Sequence, residues 1–252
     1  MADDSLANSA GSSGERGDAI VVDFDFVLTD GHEILELAAE NALGGRGVEL
    51  THAMFSRRLL GIRVLPAFSA LLPAGAEIAP DKFAAQVFDA ADKALDGAPM
   101  RKTILDYLKK AEAEGAELMF VTMRNQSVVE QKLECAGFVE PRVLKIDRYD
   151  TFGEFPGDTW QKAARFARPA SGRCILLLGS ANSVRCALSL GKRAQPVKTD
   201  EEESVILPSP LASRIVAVVP PILSHQDYAG ADYVFDAQPE AELAAQLASV
   251  EF

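Results

Sequence analysis

Positive charge is scarce in this chain. Its 252 residues hold 25 lysines and arginines against 37 aspartates and glutamates, a formal net charge of −12. That balance argues against a nucleic-acid backbone or an anionic membrane as the main partner. It also poses a question, because an anionic ligand would need positive charge supplied locally. Cysteine is nearly absent. Cys135, Cys174 and Cys186 are odd in number and show no CxxC spacing. Neither a disulfide framework nor a zinc site is readable, and a reducing, cytoplasmic setting is expected. Long apolar runs are missing as well: Ile215 to Ile222 is among the longest, far short of the ~20 residues of a membrane span. The segment Met1 to Asp18 is rich in Ser, Ala, Gly and Asp and has no basic stretch leading into an apolar one. It reads as a flexible tail rather than a signal peptide. No internal repeat is visible.

What is present suffices for a large core. The chain is 48% hydrophobic and 25% charged, the composition of an ordinary globular domain. Ala19-Ile20-Val21-Val22 is continuously apolar and mostly β-branched, the pattern of a parallel strand buried on both faces. From about residue 33 to residue 100 apolar residues recur at helical spacing, punctuated by Pro66, Pro73, Pro80 and Pro99. Strand–helix alternation then resumes. Strands are expected at Glu117–Thr122, Val143–Ile146, Cys174–Gly179, Arg214–Pro220 and Ala231–Phe235, with helices between them and a closing helix to Val250. The acidic run Asp200 to Glu203 reads as a solvated linker. The reading is an α/β fold, a doubly wound parallel Rossmann-like sheet with an all-helical insert. Residues 1–18 form the tail, 19–32 and 101–252 the core, and 33–100 the insert.

Open parallel sheets bind ligands outside the carboxyl ends of their strands. Asp23 and Asp25 end the first strand, Thr122 ends the second, and Gly179-Ser180 end the third strong strand. Two carboxylates one residue apart repel, and such a pair commonly needs a cation or a shared proton. One can then act as nucleophile and the other as general acid and base. The plainer alternative is a pair of solvated strand-end aspartates.

The stretch Val21 to Asp30, VVDFDFVLTD, resembles the first motif of the haloacid-dehalogenase superfamily, an apolar strand followed by DxDx(T/V). Phe26 departs from the usual glycine there, and Val27 takes the alternative to threonine. The strand LMFVT resembles the second motif, ending in the hydroxyl of Thr122, and Met123-Arg124-Asn125 resembles the turn that follows it. The helical insert sits where members of the helical-cap type carry their cap. The resemblance implies a hydrolase, a phosphatase of small phosphorylated metabolites working through an aspartyl-phosphate. Asp23, Asp25, Thr122 and Lys162 are its implied catalytic residues. Thr122, Arg124, Asn125 and Ser180 are implied to bind substrate, and Asp23 and Asp25 to hold Mg²⁺. The third-motif lysine falls on Lys162 if any helix lysine serves; in the register of the helical-cap members its place is near Phe155. The fourth motif departs most, because its acids are replaced by Ser180, Asn182 and Ser183, which weakens the case for Mg²⁺. Three readings stay open: a Mg²⁺-dependent phosphatase with a weakened metal site; a degenerate member that binds a ligand or partner; and a metal-independent 2-haloacid dehalogenase, whose Ser-x-Asn pattern Ser180-Ala181-Asn182 resembles. The resemblance does not reach the oligomeric state.

Overall fold

The computed structural model describes residues 18–147, 151–167, 173–188 and 212–250. Six strands form one parallel sheet: β1 (Ala19–Asp23), β2 (Glu117–Thr122), β3 (Val143–Lys145), β4 (Arg173–Leu178), β5 (Ala212–Val219) and β6 (Tyr233–Asp236). Their spatial order is β3-β2-β1-β4-β5-β6. The chain therefore builds outward from β1 on one side and returns to build on the other. The crevice at the end of β1, where the direction reverses, is where such a sheet admits a ligand.

β1 lies between β2 and β4, with Val22 in register with Phe120 on one side and Leu177 on the other. Ile20 and Val22 pack into one apolar cluster, Ala19 and Val21 into a second on the opposite face. Burial on both faces explains why the strand shows no alternation. Helices α5 (Lys102–Ala113), α6 (Gln126–Cys135), α7 (Thr159–Ala167), α8 (Ala181–Leu188) and α9 (Glu240–Leu247) accompany the strands. Between β1 and α5 the chain forms four α-helices, α1 (Gly31–Gly44), α2 (His52–Met54), α3 (Val64–Leu71) and α4 (Pro80–Gly97), and two π-helical turns, Phe24–Leu28 and Phe55–Leu59. Helix α3 lies within the stretch expected to be helical, across one of the prolines read as punctuation. Its eight residues include Pro66 in the first turn, where a missing N–H costs little. Residues 1–17 and the acidic run Asp200 to Glu203 lie outside the described residues. Among the described residues, no helix is long and apolar enough to cross a membrane.

The helical insert is stitched to the core by the segment after β3. Gly61 N–H donates to the Phe152 carbonyl and Phe152 N–H to the Ile62 carbonyl, each at 2.9 Å. The Phe152 ring is fully buried among Phe55, Phe68 and Phe88, at centroid distances of 6.2, 5.3 and 5.0 Å. A residue of the core chain thus completes the aromatic core of the insert. A second tie lies at α6, where the Lys132 ammonium donates to the carbonyls of Leu95, Asp96 and Ala98 at the end of α4.

Candidate active site

The site begins with an interruption of β1. Residues Phe24–Leu28 form a single π-helical turn, and the Asp23 carboxylate accepts the Phe26 N–H at its start (2.9 Å). Wide turns of this kind concentrate at functional sites. Two glycines permit it. A Cβ on Gly31 would lie 2.1 Å from the Asp25 carbonyl oxygen, and one on Gly179 would lie 2.6 Å from the Phe26 Cβ. The far end of the turn is held by Arg101, which is 6% exposed. Its guanidinium donates to the carbonyls of Val27 (2.7 Å), Thr29 (3.0 Å) and Phe26 (3.3 Å) and pairs with Asp30. Sequence reasoning missed Arg101 because all partners of its side chain lie more than seventy positions away and three of them are main-chain carbonyls, which no side-chain pattern records.

The expected strand-end residues come together. Asp23 lies at the end of β1, Thr122 at the end of the adjacent β2, and Ser180 just after the adjacent β4; all are buried. Asp25 is the focus of the donors. Thr122 Oγ1 donates to Asp25 Oδ1 (2.7 Å), Met123 N–H donates to Oδ2 (2.8 Å), and Arg124 Nε stands 3.3 Å from Oδ1. A hydroxyl, a main-chain amide and a guanidinium converging on one carboxylate make an anion cradle, filled here from within the chain. Arg124, 5% exposed, also reaches outward to Asp92 on α4, with Nη1 to Oδ1 at 2.8 Å. The local positive charge that the overall balance of −12 called for is thus supplied by Arg124, with Arg101 close behind. Arg57, Arg58 and Arg63 of the insert are exposed.

Asp23 has a different setting. Besides Phe26 N–H it accepts a long contact from Gly179 N–H at 3.4 Å. Burial, then the neighbouring Asp25, and lastly Glu154 push its pKa well above the ordinary carboxylate range, against the pull of the two amides. Burial thus favours the protonated form of Asp23 in this closed arrangement. The space in front of Asp25, lined by Phe26, Leu35, Phe88, Met123, Arg124, Thr151 and Gly153, measures about 10 Å³, room for about one water molecule. Phe26 fills much of the crevice: it stacks on His32 (centroids 3.8 Å, planes 13° apart) and meets Phe155 edge-on. His32 is buried, and burial holds its pKa down to about 3 against the pull of the Gly153 backbone. It serves packing.

Glu154 is the functional-site residue that the sequence reading did not single out. It is 3% exposed, accepts a hydrogen bond from Ser180 Oγ (2.8 Å) and interacts with the Asn182 side chain. Burial raises its pKa to about 7 despite those bonds and nearby Arg185. The lysine of the third motif, sought at Lys162 or near Phe155, thus has a glutamate in its neighbourhood. The signal available in the sequence was the GEFPG turn itself, with an acid one residue before the expected place. Lys162 lies half exposed on α7, paired with Asp158 at 2.8 Å. Asn125 is at the exposed start of α6, where its side chain accepts the Ser127 N–H. Arg124, Thr122 and Ser180 are in the site; Asn125 is at its rim.

A resident Mg²⁺ does not fit this donor set. It would need several oxygen ligands in near-octahedral array. Both Asp25 oxygens already serve the cradle, and its carbonyl accepts the Thr29 hydroxyl at 2.7 Å. The fourth-motif position offers neutral Ser180, whose hydroxyl is engaged with Glu154. Among the described residues no group of three or more metal-ligating side chains occurs.

This architecture has counterparts of known structure. A HAD family hydrolase from Deinococcus radiodurans R1, solved with bound phosphate and sodium, superposes with a TM-score of 0.60 at 19% identity, covering 93% of this chain and 96% of its own. CbbY from Rhodobacter sphaeroides, in complex with phosphate, gives 0.57 at 18% identity over 86% and 93%. A β-phosphoglucomutase from Clostridium difficile gives 0.57 at 11% identity over 92% and 97%. Neither a protein-family model nor a curated protein sequence matches the chain. The fold is that of the haloacid-dehalogenase hydrolases, an α/β core with helices following its first strand.

Proposed function

We propose that the chain is a haloacid-dehalogenase-type hydrolase that cleaves a small phosphorylated molecule. The observation that carries this reading is the meeting of Asp23, Asp25, Thr122 and Ser180 at the ends of three adjacent strands, beside a buried arginine. In the proposed reaction an Asp23 carboxylate oxygen attacks phosphorus and the bond to the ester oxygen breaks. Asp25, having taken up on leaving the cradle the proton that Asp23 gives up, donates it to that oxygen. Water then attacks phosphorus, Asp25 takes its proton, and the bond to Asp23 breaks to release inorganic phosphate. Thr122, the Met123 amide and Arg124 would hold the phosphoryl oxygens once Asp25 leaves the cradle. No step is assigned to a metal.

The closed arrangement is a resting one in this scheme. A nucleophile must be ionised, and Asp23 becomes so when the crevice opens and water reaches it, since burial is the main cause of its raised pKa. A second reading, a haloacid-dehalogenase fold kept to bind a ligand or partner, draws support from the Glu154–Ser180–Asn182 arrangement, with an acid one residue from the expected place of the family's lysine and neutral groups where its acids are expected. A broad panel of phosphate esters, assayed with the wild type, Asp23→Asn and Asp25→Asn, separates the two. Ester hydrolysis lost in both variants supports the enzyme. A wild type inert on every ester, yet properly folded, leaves the binding reading.

A further inference from the structure

Arg124 lines two spaces. One is the small space before Asp25. The other is a groove of about 270 Å³ between α4 and the start of α6, lined also by Asp89, Asp92, Lys93, Asp96 and Asn125. Arg124 is held in that position by two carboxylates, Asp25 from within and Asp92 from the insert. We propose that Asp92 is a gating residue: it holds Arg124 across the passage from the groove to Asp25, and the anionic end of the substrate enters by taking Arg124 over from Asp92.

Three further observations favour a passage at this place. Elsewhere, the insert is closed against the core by the paired Gly61 and Phe152 backbones and by the Phe152 ring. Near the linkers, Arg101 and Lys132 fasten the chain through several main-chain bonds each. The Asp92–Arg124 contact is a side-chain ion pair whose carboxylate is 30% exposed, the kind of contact that water and a competing anion can replace. A phosphoryl group suits the exchange because its oxygens match the guanidinium fork, and because the Thr122 hydroxyl and Met123 amide beside it already bind an anion. The identity of the anion rests on the phosphoester reading above; the gate does not.

The test compares the wild type with Asp92→Ala and with Asp89→Ala, which removes the same charge from the same groove but not the bond to Arg124. Thermal melting checks that each variant folds. Hydrogen exchange at the Met123 amide, which donates to Asp25 inside the passage, reports opening. Calorimetry with inorganic phosphate reports the anion. The expected result for Asp92→Ala is faster Met123 exchange and phosphate binding about tenfold tighter, because the bound form no longer displaces an internal partner. Asp89→Ala is expected to change phosphate affinity by about twofold or less, as screened surface charges do. Unchanged exchange in Asp92→Ala, or an equal gain in Asp89→Ala, overturns the gate, and phosphate binding equally to all three proteins does so while sparing the phosphoester reading. Faster exchange with no phosphate bound by any of the proteins leaves the gate standing and overturns the phosphoester reading instead.

Discussion

Replacing Glu154 by glutamine should change how stability depends on pH, by an amount the structure sets. The carboxyl is buried against Ser180 and holds its proton up to pH about 7, where an ordinary glutamate loses it near 4.5. Between these values the unfolded chain has released the proton and the folded chain keeps it. Unfolding therefore becomes easier as pH rises. The contribution is fully present below 4.5 and lost by the time pH has passed about 7, a total of about 3 kcal/mol. Asp23, also raised, acts in the same direction. His32 acts in the opposite one. Its pKa is lowered to about 3, so its contribution is present above 6.5 and is lost as pH falls toward 3. These terms mask one another in the wild-type curve; in the difference between wild type and Glu154→Gln the His32 contribution cancels, and so does that of Asp23 apart from the smallest of its causes, the Glu154 charge. Urea unfolding of both proteins through this range gives that difference. The wild type should lose about 3 kcal/mol relative to the variant as pH rises from 4.5 to about 7. Parallel curves would refute the assignment of a protonated, buried Glu154.

The remaining expectations concern the supports of the site. Phe152→Ala empties the aromatic core of the insert and should destabilise the protein by about 3–5 kcal/mol in denaturant titration; a loss below about 1 kcal/mol would mean that the ring does not bind insert to core. Arg101→Met leaves the carbonyls of Val27 and Thr29 without their donor and should cost about 3 kcal/mol, with the loss of any ester hydrolysis as the turn around Asp25 loosens. Any hydrolysis should persist in EDTA, since the donor set does not fit a resident Mg²⁺; activity that vanishes on chelation and returns with Mg²⁺ would show that opening the crevice creates a metal site.

The parts of the fold that obey local rules were legible in the sequence. β1, β2 and β4 were found within a residue of their ends because buried parallel strands are uninterrupted apolar runs. Helices α4, α5 and α6 carry amphipathic spacing and stop signals. The strand-end placement of Asp23, Thr122 and Ser180 followed from the same reading. Long-range pairings were not legible. The π-helical turn depends on Arg101, distant in sequence, and on two glycines whose need appears only when the Asp25 carbonyl and Phe26 approach them. Glu154 stands in a short irregular segment without periodicity, and its role follows from a hydrogen bond to Ser180. Asp92 reads as one more solvated acid on α4 until the fold lays it on Arg124.

The central claim is that Asp23 is the nucleophile of a phosphoester hydrolase. It is tested most directly by acid-quenching the protein during turnover of a phosphate ester and locating the bound phosphoryl group by peptide mass spectrometry. The account predicts one phosphoryl increment on the peptide holding Asp23, with fragmentation placing it on that residue, and none in Asp23→Asn. An increment that fragmentation places on Asp25, or steady ester hydrolysis by Asp23→Asn, would contradict it.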